Sequence, residues 1–226
     1  MRISQEKLPF KIQSDHRPEG LTSHAGIPLL IEWARGLGLT RSLEESLPAS
    51  SHPKAYHPVD LCETFVAALA AGATSLEDVA FLGTDRGLRS LLRRKRWPSA
   101  DTLGRFLGMA HELPSWQAGA RGAPCTPPES VRLCALDRAN QDLVAEIHRR
   151  QSITRATIDL DATIIESSRR EALPHYDNGR GYQPWVAFWS EAGLIVADEF
   201  REGNVSAQSG ALDQVKKAFA RLPVGP

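Results

Sequence analysis

Two aspartates, Asp159 and Asp161, stand two residues apart in the segment ATIDLDATIIE, Ala156 to Glu166. In an extended chain side chains alternate, so Thr157, Asp159, Asp161, Thr163 and Ile165 share one face, and Ile158, Leu160, Ala162 and Ile164 share the other. Both carboxylates therefore project from one side. At a rise of roughly 3.3 Å per residue their Cα atoms lie about 6.6 Å apart, which suits one shared site but not one tightly shared proton. Aspartate is depleted in strands and costly to bury unpaired, so two of them inside a β-branched run point to a metal or a phosphate.

A second stretch carries charge of the opposite sign. Arg86 to Trp97, RGLRSLLRRKRW, gathers Arg86, Arg89, Arg93, Arg94, Lys95 and Arg96 beside Trp97. Cations clustered on a helix suit the phosphates of a nucleic acid, and the same residues also suit a solvated face that complements a helix dipole. Whole-chain charge does not choose between these, because Lys+Arg and Asp+Glu both total 27 and the net charge is zero. The three cysteines, Cys62, Cys125 and Cys134, fit no zinc spacing, and with no apolar signal core at the N-terminus they indicate a reducing cytoplasm. The longest nearly apolar run, FVAALAAGA from Phe65 to Ala73, is far short of the ~20 residues a membrane span requires. His52 and His57 lie in a polar loop without partners at ligand spacing. A phosphate-binding loop, a GxSxG elbow and a Cys/His catalytic pair are all missing from the sequence.

The elements that must position these residues fall into two regions. Residues 1–23 read as an arm, and 24–113 as a helical bundle. IPLLIEWARGLGL forms one short helix and Arg41 to Leu47 another. Pro58 opens a buried helix over VDLCETFVAALAAG; Thr74-Ser75-Leu76-Glu77 is a capping box; and Ser99 caps a helix with Leu103, Phe106, Leu107 and Ala110 on one stripe. Residues 114–128, PSWQAGARGAPCTPP, are a linker. From 129 a long amphipathic helix reaches about Gln151, with Val131, Leu133, Cys134, Leu136, Leu143, Val144 and Ile147 as its apolar positions, and leads into the aspartate strand. After a polar connection, Pro184 to Ser190 and Leu194 to Phe200 form a β-hairpin, with Trp185, Phe188 and Trp189 as its core. Ser206 to Leu222 is a helix that turns Val215, Phe219 and Leu222 inward. The fold class is α+β or α/β: a helical N-terminal domain, then strand, β-hairpin and helix.

Four segments carry a family resemblance: IDLDAT (Ile158 to Thr163), HYDNGRGYQPWV (His175 to Val186), FREGN (Phe200 to Asn204), and SLEDVAFLGTDRGLRSLL with WPSADTLGRFL upstream. In this order they resemble the bacterial insertion-sequence transposases of the DDE type, group 1, whose core is RNase H-like. The resemblance covers most of the chain. It implies a helical region that recognises terminal inverted repeats in double-stranded DNA, and a nuclease core whose three carboxylates hold two Mg²⁺ (or Mn²⁺) ions. Such a pair, about 3.5–4 Å apart, activates the attacking oxygen and stabilises the leaving one. By position, Asp161, followed by Ala162-Thr163, matches the family's first carboxylate and is the expected metal ligand; Asp159 is the fallback. The DNA-binding set implied is Arg86, Arg89, Arg93, Arg94, Lys95 and Arg96. Arg169, Arg170, Arg180, His175 and Tyr176 are further candidates for contact in the polar connection. The family's second Asp and its Glu follow on a later strand and helix. The expectation is thus a truncated copy in the bacterial cytoplasm, associated with the nucleoid, inactive alone and a homodimer when full length, with no membrane partner.

Two alternatives come from other classes. DLDAT has the DxDxT form and resembles the nucleophile motif of haloacid-dehalogenase-type phosphotransferases, with Asp159 attacking phosphorus and Asp161 as general acid; that fold wants a helix and a parallel sheet after the motif. The other alternative is a DNA-binding remnant without catalysis.

Overall fold

The computed structural model describes residues 20–50, 52, 54–110, 129–151, 153–169 and 172–223. The linker expected at 114–128, most of the arm and Arg170 lie outside the described residues. The chain divides into two units, Met1–Ala110 and His111–Pro226.

In the first unit, proline at N1 starts α3 (Pro58–Ala70) where a missing N–H costs nothing. Around it pack α1 (Gly26–Gly36), α2 (Leu39–Ser46) and α4 (Leu76–Leu82), followed by α5 (Arg86–Leu91) and α6 (Ala100–Gly108). The capping box stands one residue later than expected: Ser75, not Thr74, is the N-cap of α4, and its reciprocal partner is Asp78, not Glu77. The Asp78 carboxylate accepts from the N–H groups of Thr74 and Ser75, and so reaches further back than a capping pair requires. Ser99 caps α6 as expected. That helix buries Leu103 and Phe106, whose ring lies 6.4 Å from that of Phe65, while Leu107 stays exposed.

The interior of this unit is not purely apolar. Glu63, on α3, is only 3 % exposed. Its two oxygens accept from Arg35 Nε (2.9 Å) and Nη2 (2.6 Å), from Thr40 Oγ1 (2.8 Å) and from Arg94 Nη2 (2.6 Å). Arg35 also bonds Glu32 at 2.6 Å, and Arg94 also pairs with Asp60. Burial opposes ionisation of Glu63. The hydrogen bonds of Arg35 and Thr40, with the charges of Arg35 and Arg94, outweigh it, and the carboxyl is held below its ordinary value of 4.5. A carboxyl depressed in the folded state contributes stability above its unfolded pKa and loses it as pH falls through the folded one. Urea midpoints of this unit, followed by hydrogen exchange of α3, should therefore fall below about pH 4.5, and Glu63→Gln should flatten that dependence.

The second unit begins with α7 (Val131–Arg150), capped by Ser130. β1 (Ile158–Ala162) pairs antiparallel with β5 (Trp185–Trp189), which pairs antiparallel with β6 (Leu194–Glu199), in the order β1-β5-β6. A smaller antiparallel sheet in the order β2-β4-β3 joins β2 (Ile165–Glu166), β4 (Arg180–Tyr182) and β3 (Leu173–Pro174). The long strand expected over 156–166 is thus interrupted at Thr163-Ile164, where the ladder passes from one sheet to the other. α8 (Ala211–Ala220) closes the unit.

The core lies on one face of the larger sheet, between Ala187, Trp189, Val196 and Ala197 and the helix residues Val144 and Ala218. Trp185 and Trp189 are buried as expected, but Phe188, expected in the same core, is exposed, because period two turns it to the opposite face of the sheet. A bulge opposite Ala187/Phe188 lets β6 turn two consecutive residues, Val196 and Ala197, into that core. Among the described residues every strand pairing is antiparallel, and helices precede and follow the sheets rather than alternating with their strands, so the class is α+β. Two expectations about helix faces fail. Phe219 is 55 % exposed while Ala218 and Gln214 are buried, and on α7 Val131 and Leu136 are exposed while Ala135 and Ala139 face inward. On α8 the small Ala218 meets the sheet while Phe219 points outward, and on α7 the inward face combines Ala135 and Ala139 with Val144 and Ile147. No helix among the described residues is long and apolar enough to cross a membrane.

Candidate functional site

β1 is an edge strand of its sheet, and its two faces separate as the alternation predicts. Thr157, Asp159, Asp161 and Thr163 are exposed, whereas Ile158 and Leu160 pack against the core. The strand is fixed at its start by Glu191, in the β5–β6 turn, whose carboxylate accepts from the Thr157 N–H and hydroxyl, both at 2.7 Å. Those bonds hold the Glu191 carboxyl below its usual range, with Arg155 assisting.

The two aspartates have different surroundings. Asp159 sits in register with Phe188 and accepts a short hydrogen bond from the Ser190 hydroxyl. Asp161 sits in register with Val186, and its carboxylate accepts from the Thr163 hydroxyl at 3.2 Å. Asp159 is therefore tied to the neighbouring strand, while the bond at Asp161 comes from its own strand two residues on. Nothing in the sequence singles out Ser190, because its relation to Asp159 depends on the β1–β5 register.

Asp161 offers exposed hard oxygen of the kind Mg²⁺ or Mn²⁺ prefers. The next carboxylate in its row across the sheet is Asp198, opposite Val186 on β6. Two strand spacings, about 10 Å, separate their Cα atoms, with Val186 between them. Among the described residues no group of three His, Cys, Asp or Glu side chains is placed to hold a metal ion. The residues fit one ligand position of such a site and do not complete it.

The motif HYDNGRGYQPW forms the junction of the two sheets. Gly181 lies against the Ile165 carbonyl so closely that a Cβ could not be inserted, and a Cβ on Gly203, from the FREGN motif, would fall 2.6 Å from the Gly181 oxygen and 2.8 Å from that of Leu173. The Gly203 N–H donates to the Gly181 carbonyl at 3.1 Å. Beside them Arg201 is buried. Its Nε donates to the Gln183 carbonyl (3.1 Å), its Nη1 to those of Ser209 (2.9 Å) and Ser206 (3.3 Å), and its guanidinium lies 5.2 Å from the Trp185 ring. Burial lowers the Arg201 pKa from its ordinary value, with Glu199 opposing. Two carriers of the motif pattern are therefore structural: the glycines allow backbone to meet backbone, and the arginine gathers three carbonyls. His175 is buried, and its Nδ1 accepts from the Asp177 N–H at 3.2 Å within the turn. Tyr176, Arg169 and Arg180 are exposed.

The basic run in the first unit is not one helix face. α5 stops at Leu91, Arg93 takes a left-handed conformation (φ 54°), and the chain then leaves the helix. Arg86 is exposed on α5 and Arg89 half-buried. Arg94 turns inward to Glu63 and Asp60. Arg93, Lys95 and Arg96 are exposed around a hollow of about 440 Å³ also lined by Tyr56, His57, Asp60 and Arg35. Arg96 lies over the Tyr56 ring at 4.4 Å, and the Tyr56 hydroxyl donates to the Trp97 carbonyl at 2.8 Å. Tyr56 and His57 escape a reading of the sequence because they precede the run by some thirty residues.

A sequence model of one protein family, described as transposase DDE domain group 1, matches residues 5–223. No curated protein and no solved structure matches the chain significantly.

Proposed function

The chain belongs to the transposase DDE domain group 1 family, and from that premise we propose that Asp161 is the first metal-binding carboxylate of a Mg²⁺-dependent phosphodiester cleavage and strand-transfer site. The observation that carries this is the contrast on β1: Asp159 is held across the sheet by Ser190, while Asp161 presents its carboxylate at the exposed sheet edge beside Ala162-Thr163. A bound pair of Mg²⁺ or Mn²⁺ ions would supply activation of the attacking oxygen and stabilisation of the leaving one. The part of this chain is to hold one ion ligand on a strand whose direction is fixed by Glu191 and by the β1–β5 register. Double-stranded DNA carrying the element's terminal inverted repeats is the substrate, gripped by the first unit through the exposed members of the Arg86–Arg96 run. Two copies act at the two element ends, at the nucleoid. The 226 residues alone bind DNA and do not cut it, because one ligand position does not retain a metal pair. The antiparallel β1–β5 pairing gives no support to the DxDxT phosphotransferase reading, which needs a parallel sheet beside its motif.

Mn²⁺ broadening of amide resonances tests the assignment without relying on turnover. Mn²⁺ added to the ¹⁵N-labelled chain should broaden residues around Asp161 and Val186; Asp161→Asn should lose the effect and Asp159→Asn keep it. The reverse pattern assigns the ligand to Asp159, and absence of broadening overturns the proposal. Mg²⁺-dependent nicking of inverted-repeat DNA by the chain, abolished by Asp161→Asn, would show that the 226 residues are active after all.

A further inference from the structure

Resting on the DNA-binding reading above, we propose that the hollow between the start of α3 and the segment following α5 is the seat of one DNA backbone phosphate, with Lys95 and Arg96 as its principal contacts. Five cationic side chains line it: Arg35, Arg93, Arg94, Lys95 and Arg96. The carboxylates in and behind it are already committed. Glu63 and Glu32 engage Arg35, and Glu63 and Asp60 engage Arg94. Lys95 and Arg96, exposed at the rim, add positive charge to a hollow whose Arg35 and Arg94 are already paired with carboxylates. An anion fits that field, and phosphate is the anion that arginine forks and lysine ammonium groups recognise best.

The hollow is also preorganised. Arg96 does not wave in solvent: its guanidinium rests on the Tyr56 ring, and its Nη1 donates to the Lys54 carbonyl at 3.3 Å. Tyr56 is itself pinned through its hydroxyl to Trp97, whose indole N–H donates to the Val79 carbonyl at 2.8 Å. A chain of contacts thus runs from the bundle interior to the cation. His57 gives α3 no side-chain cap, and the first turn of that helix adds its positive end to the same place. A phosphate held here reads no base. It sets where the first unit sits along the duplex.

The experiment is a fluorescence-anisotropy titration of the full chain with a duplex across a salt series. Wild type should bind with log K falling linearly with log salt. Lys95→Ala and Arg96→Ala should each weaken binding about 3- to 10-fold for any duplex sequence and lower the salt slope by about 0.9, the signature of one lost phosphate contact. Tyr56→Leu should weaken binding with the slope kept, because the Arg96 charge remains but is no longer held. Arg86→Ala, outside the hollow, should leave the Lys95 and Arg96 effects intact. If wild type binds but Lys95→Ala, Arg96→Ala and Tyr56→Leu match it in affinity and slope, the hollow is not the seat, while the DNA-binding reading stands. If wild type binds no duplex at low salt, both fail. Thermal midpoints of the variants, unchanged from wild type, exclude unfolding as the cause of a loss.

Discussion

Replacing Glu63 by alanine is expected to lower the stability of the first unit by about 3–5 kcal/mol, the range for removing one partner of a buried ion pair. The effect is large because two guanidinium groups lose their counter-charge together. Arg35 retains Glu32 and Arg94 retains Asp60, but the four hydrogen bonds that converge on Glu63 vanish, leaving a cavity between α1, α2 and α3. Glu63→Gln keeps the shape and removes the charge, and should fall between wild type and alanine. Urea unfolding with hydrogen exchange resolved to α3 checks this; an alanine variant within about 1 kcal/mol of wild type would mean that the network contributes no more than an exposed pair. Because Arg94 belongs to this network, Arg94→Ala should resemble Glu63→Ala in stability, and a DNA-binding loss in that variant would not identify a phosphate contact.

The second large effect belongs to a glycine. Gly181→Ala is expected to destabilise the second unit by about 3 kcal/mol, at the upper end of what overpacking costs, because the new methyl group meets the Ile165 backbone oxygen and not a side chain that could swing away. β2 and β4 would separate, and with them the link between IDLDAT and HYDNGRGYQPW. Gly203→Ala should act in the same direction on the other side of the Gly181 carbonyl. Circular dichroism melts supply the magnitude, and loss of amide protection confined to 165–183 and 201–205 would localise it. Full retention of stability in Gly181→Ala would show that the two strands can move apart without cost.

How much of this was legible depended on the range of the interactions involved. The faces of β1 followed from alternation alone, and the burial of Trp185 and Trp189 came with the hairpin, since both are local and periodic. The helices of the first unit came from caps and prolines for the same reason. Glu63 reads as one acid in an apolar helix; its partners lie 28 and 31 residues further along or back, and only packing brings them together. Arg94 reads as part of a basic run and is claimed by that network. Phe219 reads as inward because it is large and apolar, yet it is the small Ala218 that meets the sheet. The glycines of the two motifs were visible as pattern, but their reason is a meeting of three carbonyl-bearing strands that no single stretch contains.

The left-handed turn at Arg93 has a consequence for selection on this chain. Asn178, the other non-glycine residue with positive φ among those described, belongs to a type that tolerates the conformation; arginine does not. Position 93 thus holds a side chain disfavoured by its own backbone, in a segment where positive charge gathers. Thermal robustness and attraction for an anionic partner pull that position towards different residues. Variants ranked on melting temperature alone would drift to glycine or asparagine there, and each step of that drift would erode the electrostatic surface a screen for stability never measures.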